Sequence, residues 1–445
     1  MRFLGVGEYC DLGDLYLRLA REGHDVRVHV GARESSGTLA GLIERTEDWR
    51  SELPWIREAG ADGIILFERA DAGDTQDQLR ADGYNVIGGG AFGDRLESER
   101  SFGQEILRSV GVQTVPVFAF TSFASGIRHI GDHPARYVYK PNGFLSTAMD
   151  SYVGQLDDGA DIIDYLQAQQ SLWPYEQPPD FILMPHLQSV EIGVGAYFNG
   201  AEFLHPPCID FEHKRFFPGD LGELTGEMGT VVSYRGGERL FQATLGRMKD
   251  LLARSGYCGY INVNTIVNED GIWPLEFTSR FGYPGFAILD PLQVDSWADI
   301  FARVCRRSGT TFETRDGYAV GVVLTVPPFP YLGSSPPSPS GLRILFRHPL
   351  GDTGSEHLHY GEVALENGRL VTAGVIGQVM VVTGTGQTVE EARNAAYRVV
   401  DKVAVPNLRY RNDIGDRVAA RDLGLLRKWG ILPDPGIERA ANDRQ

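Results

Sequence analysis

The chain has 445 residues, enough for roughly two to four domains with sizeable cores. Its 59 acidic residues against 42 basic ones give a formal net charge of −17. No Lys/Arg-rich run interrupts that excess, which argues against a nucleic-acid backbone as ligand. Cys10, Cys208, Cys258 and Cys305 are scattered and form no CxxC pair, so neither a zinc site nor a disulfide framework is expected. The opening MRFLGVGEYCDLGD is too short and too acidic for a signal peptide, and no apolar stretch reaches membrane-spanning length. The expected location is the cytoplasm.

RFLGVG, DLYLRLAREGH and DVRVHVG read as strand, helix and strand; ADGIILFE, DTQDQLRADG and YNVIGGG repeat the pattern. Such alternation predicts a parallel, doubly wound α/β sheet. The GVG at residues 5–7 falls short of a dinucleotide fingerprint and reads as a tight turn. DRLESERSFGQEILRSVGV reads as one helix ending near Gly111, and VPVFAFTSF as a strand. ARYVYKPNG is a strand that delivers Lys140 into a loop. FILMPHL is an apolar strand, and EIGVGAYFNGAEFL a hairpin turning at Asn199-Gly200. Residues 213–229, HKRFFPGDLGELTGEMG, read as a long loop, and LFQATLGRMKDLLARSG as one amphipathic helix. GYINVNTIVNEDGIWPLEF gives two strands joined at Glu269-Asp270-Gly271. The Pro/Ser-rich VPPFPYLGSSPPSPSG reads as a loop inside a C-terminal domain. That domain continues with strands near residues 362–365 and 375–382 and the helix TVEEARNAAYRVVDKV.

Chemistry concentrates in WPLEFTSRFG. Strand alternation places Glu276, Thr278 and Arg280 on one face. Antiparallel pairing across the Gly271 turn brings Asn264 towards Glu276. Oxygen donors of this kind suit Mg²⁺, a hard cation that bridges phosphates. The Arg280 fork suits a phosphate or carboxylate, and Lys140 a phosphate as a point charge. The set describes a nucleotide-phosphate site, although a strand Glu facing solvent and a Lys flanking a turn are the ordinary structural alternatives. His357 and His359 share a strand face in HLHY but lack a further ligand, and they read as ordinary strand histidines.

In order along the chain, VYKPNG, FILMPHLQSVEIGV, HKRFFPGDLGELTGEMG and GYINVNTIVNEDGIWPLEFTSRFG resemble the ATP-grasp superfamily. The closer resemblance is to the phosphoribosylamine–glycine ligase family. That family carries an HKR, a GD, a TGGMG run and an EFNxRFGDPE run. Here they stand as His213-Lys214-Arg215, Gly219-Asp220, TGEMG at residues 225–229 and EFTSRFGYPG at residues 276–285. GQTVEEARNAAYRVVDKV and LRYRNDIGDR match as well. The resemblance implies an ATP-grasp fold, α/β with α+β parts. A doubly wound N-terminal domain would span residues 1–94. The ATP-grasp core would span 95–310, with a mobile lobe at about 118–187, before a C-terminal mixed α/β domain at 311–430 and a tail at 431–445.

It also implies a reaction. ATP would phosphorylate a small-molecule carboxylate, such as an amino acid, and an amine would attack the acyl phosphate to form an amide. The implied cofactors are ATP and Mg²⁺, with Mn²⁺ as an alternative ion. No nucleic acid or membrane partner is implied, and the chain would be a monomer or homodimer. Carried over by position, Glu276, Thr278 and Asn264 would hold the metal. Arg280, Lys214 and Arg215 would act in catalysis. Arg100, Lys140, Met184, His186, Leu187 and Glu191 would hold ATP, and Asp220, Thr225, Gly226, Glu227 and Met228 would face the substrate.

The departures fall where substrates bind. The family's N-terminal GGREHA-type motif is replaced by GVGEYCDLGD. Met184 and Pro185 stand where paired glutamates meet the adenine. The loop after Lys140, PNGFLSTAMDSYVG, lacks Gly-Lys-Gly. Thr278 replaces the metal-site Asn, Glu227 a glycine, and the GDPE acids are absent. The reading these favour is an active ligase with changed substrates. The alternatives are the ordinary phosphoribosylamine–glycine ligase and a non-catalytic ATP sensor.

Overall fold

The computed structural model describes residues 1–142, 151–173, 179–331 and 340–434. The glycine-poor loop after Asn142 and the centre of the Pro/Ser-rich segment lie outside the described residues.

The first ninety residues form the expected doubly wound sheet. Its five strands run in the order Glu44–Thr46, Asp25–Val30, Arg2–Gly7, Gly63–Phe67 and Asn85–Ile87, all parallel. The Gly63–Phe67 strand, GIILF, is buried throughout, as an interior strand covered on both faces must be. The chain winds outward first on one side of Arg2–Gly7 and then on the other. The crevice beyond the ends of Arg2–Gly7 and Gly63–Phe67 is therefore the topological switch point.

Eight antiparallel strands make the central sheet. In order they are Gly271–Thr278, Gly259–Asn268, Val190–Phe198, Cys208–Glu212, Gly229–Ser233, Tyr318–Thr325, Gln378–Gly386 and Leu358–Tyr360. Three strands after residue 311 extend this sheet, while Val363–Glu366 with Arg369–Thr372 and Leu345–Phe346 with Val403–Ala404 form separate two-stranded ribbons. Tyr318–Thr325 pairs directly with Gly229–Ser233. The helix Val389–Val400, started by a Thr388/Glu391 capping box, lies very close to the sheet. A Cβ on Gly384 would stand 2.1 Å from the Ala396 backbone nitrogen, so only glycine permits that approach.

A third sheet, in the order Phe118–Phe120, Phe181–Pro185, Tyr137–Pro141 and Tyr152–Val153, carries the helices Phe123–Asp132 and Ala160–Leu172. Its core, built on Phe123, Tyr139, Leu166 and Phe181, is separate from the main one. Phe181 stacks on Phe123 with centroids 5.5 Å apart. The unit is thus a lobe with its own packing, hung over the end of the central sheet.

Three local expectations change. The helix expected up to Gly111 is two, Gly90–Ser98 and Arg100–Ser109, broken at Glu99 (φ −97°, ψ 84°). The break is held from a distance, because the Arg100 amide donates to Asn142 Oδ1 at 3.0 Å. The single helix expected over LFQATLGRMKDLLARSG is three short pieces, Glu238–Ala243, Leu245–Met248 and Lys249–Ser255, interrupted at Thr244. The buried Thr244 hydroxyl donates back to the Leu240 carbonyl at 2.7 Å, a bond that competes with the helical ladder. The loop at residues 213–229 contains a hairpin, Arg215–Phe217 with Leu221–Leu224. Its turn places Gly219, Asp220 and Gly222 at φ of 72°, 55° and 80°. Among the described residues no helix is long and apolar enough to cross a membrane.

Candidate active site

Where the lobe overhangs the central sheet there is a cavity of about 440 Å³. The expected hairpin forms its floor. Asn264 pairs with Glu276 and Asn262 with Thr278 across the two strands. Three cations from three elements converge on Glu276. Arg100 comes from the first turn of its helix, Lys140 from the lobe strand Tyr137–Pro141, and Lys214 from the segment after Cys208–Glu212. Arg100 and Lys140 bond Glu276 Oε2, the latter at 3.1 Å, and Lys214 Nζ bonds Oε1 at 3.1 Å. Lys214 also reaches Glu191 Oε1 at 2.9 Å and Glu212 Oε2 at 3.0 Å. These side chains are only 14–30 % exposed, so the pairs act at reduced dielectric.

The titrations follow from this crowding. Burial raises Glu276, but Lys140, Lys214 and Arg100 outweigh it and hold the carboxyl well below its usual range. Burial lowers Lys214, but Glu191, Glu212 and Glu276 outweigh it and hold the ammonium well above its own. Lys140 is lowered by burial, with Arg100 and Lys214 adding to the effect against Glu276. Burial, then Glu212, push Asp210 up to about 8. Glu227 is raised well above the carboxylate range by burial, Glu212 and Asp210.

Asn264 donates to Glu212 Oε2 at 2.7 Å, while its Oδ1, buried at 5 % exposure, has no partner. The Glu276 carboxylate, that orphaned amide oxygen and the Thr278 hydroxyl form a hard-donor set that fits Mg²⁺. Among the described residues no three His, Cys, Asp or Glu side chains form a metal cage. Few protein ligands, with phosphates and water completing the shell, is how Mg²⁺ is commonly held.

Met184, His186 and Leu187 line the upper wall with Pro185, Val138 and Val153. Met184 packs with Val115, Ile182, Leu187 and Leu275, a flat apolar surface suited to an aromatic base. Burial and Arg136 lower His186. Arg280 lines the opposite end. Its Nε donates to Glu97 Oε1 at 3.0 Å, and Glu97 Oε2 accepts the Ser279 amide at 2.8 Å. Thr225, Gly226 and Glu227 also line the cavity, with the Thr225 hydroxyl donating to the Lys214 carbonyl at 2.8 Å.

Three residues named from sequence stand apart. Arg215 donates to the Gly222 carbonyl at 2.6 Å, across its own hairpin. Asp220 pairs with Arg411 at 2.9 Å and Arg417 at 2.5 Å. Met228 is buried with Phe216 and Phe329. None of the three lines the cavity. Conversely, Cys208, Asp210 and Glu212 point into it, as do Asn262 and Tyr260. The signal for these was alternation in CIDFEHK and GYINVN, which puts every second residue on one strand face.

Residues 319–417 match the family profile described as "Phosphoribosylglycinamide synthetase, C domain". The phosphoribosylamine–glycine ligase of Rhizobium meliloti is 27 % identical over 396 residues, covering 86 % of this chain and 90 % of that protein. The same-named enzyme of Corynebacterium ammoniagenes is 27 % identical over 407 residues, 87 % of each chain. Among solved structures, the phosphoribosylamine–glycine ligase of Thermotoga maritima superposes with a TM-score of 0.70 at 21 % identity. It covers 93 % of this chain and 100 % of that one. N5-carboxyaminoimidazole ribonucleotide synthetase of the same organism gives 0.56 at 12 % identity, covering 91 % and 99 %. At these identities the structural likeness is one of fold.

Proposed function

We propose, from the premise that this chain is an ATP-grasp superfamily member related to the phosphoribosylamine–glycine ligases, that it is an ATP-dependent carboxylate–amine ligase. The observation that carries the reading is the convergence of Arg100, Lys140 and Lys214 on Glu276 beneath the apolar Met184–Leu187 wall. A polyphosphate supplies the negative charge that three such cations attract, and the wall receives its base.

In this reading Arg100 and Lys140 turn from Glu276 to the phosphates, and Lys214 stays tethered by Glu191 and Glu212. Mg²⁺, when bound at Glu276, would neutralise phosphate charge so that two anions can approach. A substrate carboxylate oxygen attacks the γ-phosphorus, and the bond to the β-phosphate oxygen breaks to release ADP. The amine then attacks the acyl carbon. Phosphate leaves and the nitrogen loses a proton, giving the amide. Arg280, fixed by Glu97, is placed to hold the anionic acyl phosphate by charge-assisted hydrogen bonds. The lobe excludes water that would hydrolyse that intermediate.

The names of the relatives favour phosphoribosylamine and glycine as the substrate pair over a changed one. One observation favours a changed pair: Asp210 and Glu227 add two buried acids to the cavity. ADP release from MgATP decides. Release only with glycine plus phosphoribosylamine supports the first pair, and release with another acid or amine the second. No ADP with any pair, together with no nucleotide binding, overturns the ligase reading.

A further inference from the structure

Around Glu276 the charges balance: Arg100, Lys140 and Lys214 face Glu191, Glu212 and Glu276. Asp210 and Glu227 are left over. They are 7 % and 6 % exposed, both line the cavity, and among the described residues neither has an ion-pair partner. Asn262 Nδ2 donates to Asp210 Oδ2 at 2.5 Å, but Asp210 Oδ1 and Glu227 Oε1 have no hydrogen-bond partner. Buried polar oxygens are nearly always satisfied, and leaving one unmet is costly. Two at one cavity wall mark a place where a ligand supplies the donors.

The shape agrees. Gly193 and Gly195 lie on the same strand face, opposite Asp210 and Cys208 in register. A Cβ on Gly193 would stand 2.2 Å from Asp210 Oδ1, and one on Gly195 1.9 Å from the Tyr260 hydroxyl. The two glycines therefore make room for the Asp210 and Tyr260 side chains, which lean over them and line the cavity. Asp210 is one two-residue strand step from Glu212, roughly 7 Å, so this part of the wall lies away from the cation cluster. Burial and the neighbouring carboxylates raise both acids above the usual carboxylate range, Asp210 to about 8, and so disfavour their charged forms in the unliganded protein. An entering cation reverses that, because it favours the charged carboxylate.

We propose that Asp210 and Glu227 form a recognition pair for an amine or guanidine group carried by one of the two substrates, so that the enzyme selects a basic substrate. The inference rests on the ligase reading of the same cavity.

Calorimetry on protein saturated with Mg²⁺ and AMP-PNP tests it. The probes are ornithine, lysine, arginine and agmatine, against norvaline, norleucine, citrulline and glycine. The expected result is that at least one basic compound binds about tenfold or more tightly than its neutral counterpart. Asp210→Asn and Glu227→Gln should each remove most of that preference while the thermal shift by Mg²⁺ and AMP-PNP persists. Binding at pH 7 should release protons, read as a dependence of the heat on buffer ionisation enthalpy. Equal affinity for basic and neutral compounds, or no binding of any basic compound with the nucleotide shift intact, overturns the proposal. A preference for basic compounds that survives both substitutions overturns it too. Absence of the nucleotide shift itself would instead overturn the ligase reading beneath it. If either variant fails to fold, the basic-against-neutral comparison on the unaltered protein still decides.

Discussion

Glu276 is the residue on which the account turns. Three cations hold it ionised, so Glu276→Gln leaves Arg100, Lys140 and Lys214 without their common partner and removes the carboxylate offered to Mg²⁺. ADP release should fall by about a hundredfold or more; near-normal turnover would refute the assignment. The pH dependence has a definite sign. A carboxyl depressed below its ordinary value of 4.5 contributes stability above that pH and loses it as pH falls towards the native value. The gap in Tm between wild type and Glu276→Gln should therefore narrow below pH 4.5. Much of this was legible in the sequence, because alternation alone places Glu276, Thr278 and Arg280 on one face. The convergence of Arg100 and Lys140 on one oxygen was not, since their sequence separations from Glu276 are 176 and 136 residues.

At the scale of elements, the hairpin at residues 215–224 is held by the C-terminal segment. Arg411, 1 % exposed, bonds Asp413 through Nε at 2.8 Å and Nη2 at 2.7 Å, and Asp220 through Nη1 at 2.9 Å. Burial alone would lower Arg411, but Asp413 and Asp220 hold it above its usual value. Arg411→Ala should cost about 1.5–3 kcal/mol in chemical denaturation, because it removes the buried guanidinium's charge-assisted hydrogen bonds to both carboxylates. A loss under about 1 kcal/mol would mean the link is ornamental. Asp220 was assigned to substrate from the sequence and instead serves this link. Its partners lie 191 and 197 residues away, beyond any local pattern. The helix breaks at Glu99 and Thr244 were hidden for related reasons. One depends on a bond to Asn142 and the other on a buried hydroxyl, while the apolar periodicity runs through both.

Across the whole molecule, the doubly wound sheet was legible because strand and helix signals alternate, whereas the lobe was expected only from the family resemblance and its helices Phe123–Asp132 and Ala160–Leu172 were not read. The continuity of the central sheet beyond residue 311 was not legible. Strand patterns give faces but not neighbours. The lobe has a core of its own, so it can move as a unit over the cavity. Hydrogen exchange should show the strands Tyr137–Pro141 and Phe181–Pro185 gaining protection with MgATP, while Gly63–Phe67 stays unchanged. Equal protection everywhere would argue against lobe closure.

The central claim is that a carboxylate takes the γ-phosphoryl group of ATP. The direct measurement is the fate of ¹⁸O from a substrate labelled in its carboxylate, with glycine plus phosphoribosylamine as the first pair. If an acyl phosphate forms, one ¹⁸O per turnover appears in the released phosphate and the amide keeps the other. ADP release with both labelled oxygens retained outside the phosphate would contradict it.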